Sequence, residues 1–292
     1  MITYRFLNEL PIGEVSGLWN AAFEGYFVDA SMPLDRFIAR VAAEGLSLER
    51  SLACYVDGER AGIVMNAFRE VDGKMQARNA GTAIVPKFRR SGIGKAMMER
   101  NEELYKEYGA KRAVLEAISR NEPAIRLYER QGYRIADRLK LLSGERFAAI
   151  SPEAGAGGSS YTVSRGPAAE AAALSWYRQG EIWQAGLPSL KDGECILVRD
   201  GEEAVGFGLI RRRYDDNGRL AGIVLFRCEA APGRTDREAV LLAALREIWQ
   251  PELDCSRSAF NISSSEDALL GVLERMGFAE TMEQVLMVKE LA

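Results

Sequence analysis

The run Pro86-Lys87-Phe88-Arg89-Arg90-Ser91-Gly92-Ile93-Gly94-Lys95 places four basic side chains and two glycines within ten positions, with no acid among them. It follows an apolar stretch, Thr82 to Val85, that reads as a strand. It opens a segment in which Ile93, Met97, Leu104 and Tyr108 recur at helical spacing. Glycines let backbone N–H groups approach a ligand closely, and a helix start adds unpaired donors and a partial positive charge. Such a cradle suits an anion with several phosphates. Two other readings compete, a dinucleotide site of the Gly-x-Gly-x-x-Gly kind and a solvated basic loop. The dinucleotide reading fails because Met97 stands at the third glycine position and six residues separate the strand from Gly92. The solvated loop stays open.

A second spaced set lies downstream: Asn121, Ala124, Leu127, Tyr128, Gly132 and Tyr133. With both sets in order, the sequence resembles the GCN5-related N-acetyltransferase (GNAT) superfamily. Its phosphate motif, Arg/Gln-x-x-Gly-x-Gly/Ala, falls on Arg89 to Gly94, and its later motif, Asn-x-x-Ala-x-x-Leu-Tyr-x-x-x-Gly-Phe/Tyr, falls on the second set. The resemblance implies a loop that holds the pyrophosphate of acetyl-CoA, the cosubstrate, through Lys87, Arg89, Arg90, Ser91, Gly92, Ile93, Gly94 and Lys95. It implies that Ile84 and Val85 line the pantetheine arm on a splayed strand, and that a backbone N–H near Val85 meets the thioester oxygen. Asn121 would hold the cofactor or the helix start, and Tyr128 would direct its hydroxyl at the CoA sulfur as the acid.

Acetyl transfer to an amine also needs a base. Many members carry an acid on the fourth strand, but Ala77 to Thr82 contains none. Glu116 is the candidate, at the spacing from the tyrosine found in similar enzymes that acetylate ribosomal-protein N-termini; proton relay through water is the alternative. With no histidine in the chain, the commonest general base is excluded. Glu24, Tyr26, Phe27 and Asp29 fall in the helix-to-helix region that shapes the acceptor pocket in the superfamily. Such an aromatic cluster also suits core packing, and Glu24 or Asp29 would suit a cationic amine.

The elements that must position these residues are legible as well. Strands are expected at 3–7, 50–56, 60–69, 76–85, 112–118 and 133–150, with helices at 12–24, 33–44, 92–108 and 122–131. The fold class is α+β, a mixed and mostly antiparallel sheet flanked by helices. Signals then recur 143 to 145 positions later: Asp57-Gly58 with Asp200-Gly201, Asp72-Gly73 with Asn217-Gly218, and Glu129 to Tyr133 with Glu274 to Phe278. Two tandem GNAT-like domains are therefore expected, 1–150 and 161–292, joined by the small-residue linker 151–160. In the second copy Arg237 and Ala239 replace the two motif glycines and Leu273 replaces Tyr128. That copy is expected to bind no CoA, and instead to complete the acceptor pocket or substitute for a dimer partner in a monomer.

The 292 residues carry 38 basic and 42 acidic side chains, a net charge of −4, which argues against a nucleic-acid partner. Cys54, Cys195, Cys228 and Cys255 form no close pair, so reduced thiols and no metal are expected. No signal pattern or long apolar run is present, which points to the cytoplasm and away from membranes. The sequence-level expectation is acetyl transfer to a primary amine, a small cationic one in preference to a protein. An acetyl-CoA sensor without turnover, or an enzyme for a longer acyl chain, are the competing readings.

Overall fold

The computed structural model describes residues 1–144 and 161–291. The expected linker at 151–160 lies outside them. The chain forms two compact units, Met1–Ala136 with Val285–Ala292, and Asp137–Gln284.

In the first unit, strand β1 (Ile2–Phe6) leads to helices α1 (Ile12–Ala22) and α2 (Leu34–Glu44). Strands β2 (Leu46–Val56), β3 (Glu59–Val71) and β4 (Lys74–Ile84) follow as antiparallel neighbours. Their hairpins turn at Asp57-Gly58 and Asp72-Gly73 as expected, because these residues tolerate the left-handed backbone that tight hairpins need. Helix α3 (Ile93–Glu107), β5 (Arg112–Ile118), α4 (Glu122–Arg130) and the start of β6 (Arg134–Ser143) complete the unit.

Helix α3 buries Ile93, Met97 and Leu104 against the sheet, each side chain contributing about 2 kcal/mol by removal from water. Tyr108, read from sequence as part of that face, is 37% exposed; Tyr105 is buried in its place. The exchange follows from the helix ending at Glu107, which leaves Tyr108 outside the regular repeat.

The second unit repeats the strand pattern with β7 (Thr162–Pro167), β8 (Glu194–Asp200), β9 (Glu203–Tyr214), β10 (Leu220–Ala230), α5 (Arg237–Trp249), β11 (Ser256–Ser263), α6 (Asp267–Arg275) and β12 (Ala279–Glu290). It has no counterpart of α1 and α2 among the described residues. Short 3-10 turns at Ala168–Ala173, Trp183–Ala185 and Leu187–Ser189 stand there instead, in a stretch interrupted by Gly180, Gly186 and Pro188.

The units do not coincide with the halves read from the sequence. The chain changes unit inside β6 and again inside β12, so Val285–Glu290 lies beside β5 in the first unit, and residues 137–143 lie beside β11 in the second.

The repeated Glu-Arg-x-Gly-aromatic signal has a structural origin. In α4, Tyr133 N–H donates to Tyr128 O at 3.0 Å and Gly132 N–H to Glu129 O at 2.9 Å, with Gly132 at φ 86. In α6, Phe278 N–H donates to Leu273 O at 3.0 Å and Gly277 N–H to Glu274 O at 2.9 Å. Both are helix stops of one kind, in which a left-handed glycine satisfies the last carbonyls.

Candidate active site

Strands β4 and β5 are parallel neighbours only from Gln76 and Arg112 to Asn79 and Leu115. Beyond that point β4 stays on β3 as far as Ile84, and β5 runs on to Ile118 without it. A bulge at Ala80, the extra residue between Asn79 and Gly81, marks where the two strands part.

Val85 N–H donates to Ala61 O at 2.9 Å across β3, so that amide is not available to a ligand. Strand alternation then directs the N–H of Ile84 away from β3, toward the side that β5 has left. Of the two, the Ile84 amide is thus the one directed into the gap.

The loop after β4 makes a single 3-10 turn at Pro86–Phe88 and then enters α3 through Gly92, whose φ of 84 is left-handed. Among the described residues, no acceptor is hydrogen-bonded to the amides of Arg90 to Gly94. Gly94 lets the first turn of α3 sit close: a Cβ there would lie 3.3 Å from both Ile84 Cδ1 and Leu127 Cδ2. Converging free amides and the missing Cβ atoms fit the phosphate role expected of this loop.

Its basic side chains divide by task. Arg89 spends its guanidinium on backbone, with Nε donating to Ile84 O at 2.9 Å and Nη2 to Ala22 O at 3.1 Å and to Glu24 O. Arg89 thus ties the end of β4 to the end of α1. Lys87 pairs with Glu59, and Lys95 lies 3.6 Å from Glu99. Arg90, exposed and at φ 63, has no ion pair among the described residues, and the Ser91 hydroxyl donates to Phe88 O at 2.6 Å.

Side chains from α4, β4 and the loop after α1 meet at the gap. Tyr128 on α4 is 8% exposed and hydrogen-bonded to Thr82 of β4. Burial drives its pKa well above the usual phenol value, the neighbouring Tyr26 adds to the rise, and the Thr82 hydrogen bond opposes it. Tyr128 therefore carries its proton at any working pH. Asn121 caps α4, its Oδ1 accepting from Ala124 N–H at 3.3 Å, while its Nδ2 donates to the Tyr26 hydroxyl at 3.3 Å. Thr82 in turn accepts from Asn79 Nδ2 at 2.7 Å.

Tyr26 is the one acceptor-side candidate that joins this group. Its loop is anchored by Trp19 Nε1 donating to Ala30 O at 2.9 Å and by paired bonds between Asn20 and Met32, each 3.0 Å. Glu24, Tyr26 and Asp29 line a depression with Asn20, Phe23 and Ser31. The Asp29 carboxylate takes the hydroxyl and then the N–H of Ser31, which lowers its pKa. Phe27 is 52% exposed and meets the edge of Tyr26.

Glu116 lies one residue past the last β4 pairing, in a buried ion pair: Arg78 Nε donates to Glu116 Oε2 at 2.9 Å and Arg78 Nη1 to Glu44 Oε2 at 2.6 Å. Arg40 reaches Glu44 at 3.0 Å, donates to Ala80 O at 2.9 Å, and lies over the Trp19 ring at 4.6 Å. Sequence reading missed Arg40, Glu44, Arg78 and Thr82. An arginine within an apolar strand was the available signal, since a buried guanidinium requires carboxylates.

A profile of the Acetyltransferase (GNAT) family matches residues 14–133. The match lies within the first half of the chain and takes in both motif regions, Arg89 to Gly94 and Asn121 to Tyr133. Three solved structures share the wider fold. A GCN5-related glucosamine N-acetyltransferase region of a fungal multi-domain GH3 β-N-acetylglucosaminidase has a TM-score of 0.73 and 14% identity, covering 99% of this chain and 38% of that one. The chain thus spans well under half of that protein. A GCN5-related N-acetyltransferase from Sphaerobacter thermophilus has 0.68 and 15%, covering 99% and 95%. A tandem GNAT protein from the clavulanic acid biosynthesis pathway has 0.66 and 13%, covering 99% and 98%. At these identities the likeness is one of fold alone, and it runs over nearly the whole chain. A search of curated proteins finds no match. Among the described residues no helix is long and apolar enough to cross a membrane. The family match supports acyltransferase chemistry with acetyl-CoA in general terms.

Proposed function

We propose that the GNAT domain transfers acetyl from acetyl-CoA to a primary amine by direct attack with both substrates bound, a small cationic amine being favoured over a protein. The observation that carries this reading is the gap between β4 and β5, with the buried Tyr128 beside it and the unengaged amides of Arg90 to Gly94 at its end. Acetyl-CoA supplies the activated thioester. The loop amides, with Arg90, bind phosphate; Ile84 N–H donates to the oxygen on which negative charge develops; Tyr128 donates to the departing sulfur. Arg89 acts as a brace, because its donors are already committed.

The proton leaving the amine goes to water. Moving it to Glu116 would strip the buried Arg78 of one of its counterions, so Glu116 is assigned to holding β5 and β4 in place where they part. Glu116→Gln is accordingly expected to keep kcat within tenfold of wild type while lowering Tm; a fall of more than a hundredfold with unchanged Tm would make Glu116 the base.

Tyr128→Phe is expected to lower kcat by about 10- to 100-fold and leave the KM for acetyl-CoA nearly unchanged. A thiol of pKa near 8.5 departs without full protonation, so loss of the hydroxyl slows turnover without ending it. Calorimetric titration of acetyl-CoA, with a free-thiol assay across an amine panel, tests the whole reading. One equivalent bound and thiol release with an amine support it; binding without release for any amine would leave a sensor.

A further inference from the structure

The second unit keeps the gap but not the cradle. Strands β10 and β11 pair only from Gly222 and Ser256 to Leu225 and Ala259, then part as β10 continues to Ala230 and β11 to Ser263. The loop that should take phosphate is closed by its own contacts. Arg234 is held by Asp236 at 2.6 Å and Asp200 at 3.1 Å, and the Tyr161 hydroxyl donates to Asp236. Glu229 stands where the first unit has Ile84, a charge placed against any acyl arm.

The gap is nevertheless a cavity of about 120 Å³, with Ile182, Phe226, Ile262 and Leu269 as its apolar wall. A space of that size holds about one aromatic ring.

Asn261, Glu266, Glu229 and Arg227 are among its polar lining residues. Asn261 is fully buried and has neither its Nδ2 nor its Oδ1 hydrogen-bonded among the described residues. Its backbone is left-handed at φ 55, in a bulge where Phe260 and Asn261 together oppose the single residue Leu141. Strained backbone and an unsatisfied buried amide together are costly, and they persist where a ligand repays them.

Glu266 begins α6 but caps nothing, and its carboxylate makes no ion pair or hydrogen bond among the described residues. Burial raises its pKa, Glu229 and Asp137 add to the rise, and Arg237 and Arg227 oppose it. Glu229 itself is neutralised by Arg227, which is fixed over Tyr177 at 4.9 Å and Phe207 at 5.4 Å. The cavity therefore presents a carboxylate, Glu266, that has no ion pair among the described residues, one unsatisfied amide and an apolar wall.

We propose that the gap between β10 and β11 is a binding site for a small ammonium ion on an apolar frame, its charge on Glu266 and its N–H on the Asn261 carbonyl oxygen. Such a site is separate from acetyl transfer in the first unit and does not depend on it.

The probe is benzylamine, titrated at neutral pH into the full chain with labelled isoleucine methyl groups and followed by NMR. Saturable shifts of Ile182 and Ile262 are expected, at least tenfold weaker for the isosteric benzyl alcohol and at least tenfold weaker in Glu266→Gln. No hydrogen bond of Glu266 is lost in that variant, so its fold should persist. No saturable shift at Ile182 and Ile262, or equal affinity for the alcohol, would overturn the proposal. So would displacement of benzylamine from these residues by acetyl-CoA, which would mean that the gap has kept its CoA arm. Ile84 and Ile93 report acetyl-CoA in the first unit separately, so failure of either site is seen by itself.

Discussion

Gly92→Glu is expected to raise the Kd for acetyl-CoA by at least a hundredfold while lowering Tm by only a few degrees. Two penalties fall on the bound state. Gly92 has a φ of 84, where an L-residue costs about 1 kcal/mol, so the loop would relax away from the arrangement in which its amides converge. The new carboxylate would also sit at the head of α3 and repel the pyrophosphate, at a cost of roughly 2 kcal/mol more at close range in partly screened surroundings. Together they amount to about 3 kcal/mol, a factor above a hundred. Stability suffers little because a Cβ at this glycine meets nothing within 4 Å. Gly92→Ala carries the strain alone and should weaken binding about fivefold. Gly233→Glu, at an equally left-handed and open glycine of the second unit (φ 81), should change nothing in the calorimetric titration. Equal loss from the Gly233 variant would place the bound acetyl-CoA in the wrong unit.

Arg78→Leu is expected to destabilise the chain by about 3–5 kcal/mol in urea unfolding, among the largest effects of any single substitution. The guanidinium is buried with Glu116 and Glu44 on either side, and its removal takes a buried counterion from both, leaving Glu44 with Arg40. Acidification should reveal the same network. Burial by itself would raise the Glu44 pKa, but Arg78 and Arg40 outweigh it and bring the value from 4.5 to about 2. Stability from a lowered carboxylate pKa is fully present above the unfolded value and is lost as pH falls through the folded one. Wild type should therefore lose about 3 kcal/mol between pH 5 and pH 2 through Glu44. Arg78→Leu should lack most of that acid-dependent loss, and identical acid profiles for the two proteins would refute the role given to Arg78.

The sequence revealed what depends on local chemistry. Gly92 and Gly94 announce a close backbone approach, and periodicity locates α3 and the strands on either side of it to within a few residues. The Asn121 cap and the Gly132-Tyr133 stop frame α4, so spacing alone puts Tyr128 on a helix. What spacing does not encode is what a long side chain does once it arrives. Arg89, expected as a phosphate ligand, donates to the carbonyls of Ile84, Ala22 and Glu24, and Glu116, expected as the base, pairs with Arg78. Thr82 and Tyr128 lie more than forty residues apart and meet only when β4 and α4 pack. The exchange of strands between units was beyond reach too, because β6 and β12 have equivalent places in the repeat and either could complete either sheet.

That exchange governs the order in which the protein can become active. Tyr128 packs in a cluster that includes Val285, Met287 and Leu291. On a ribosome, the proposed acetyl-CoA loop at 86–95 is made well before Val285, Met287 and Leu291, the residues that wall in Tyr128. Until then β5 lacks the neighbour that Val285–Glu290 provides, and its unpaired edge is a hazard for pairing with the wrong chain. The packing around Tyr128 is therefore completed only after the Val285–Leu291 stretch has been synthesised. The duplicated halves cannot be parted and used as independent modules, even though only one of them carries the transferase motif.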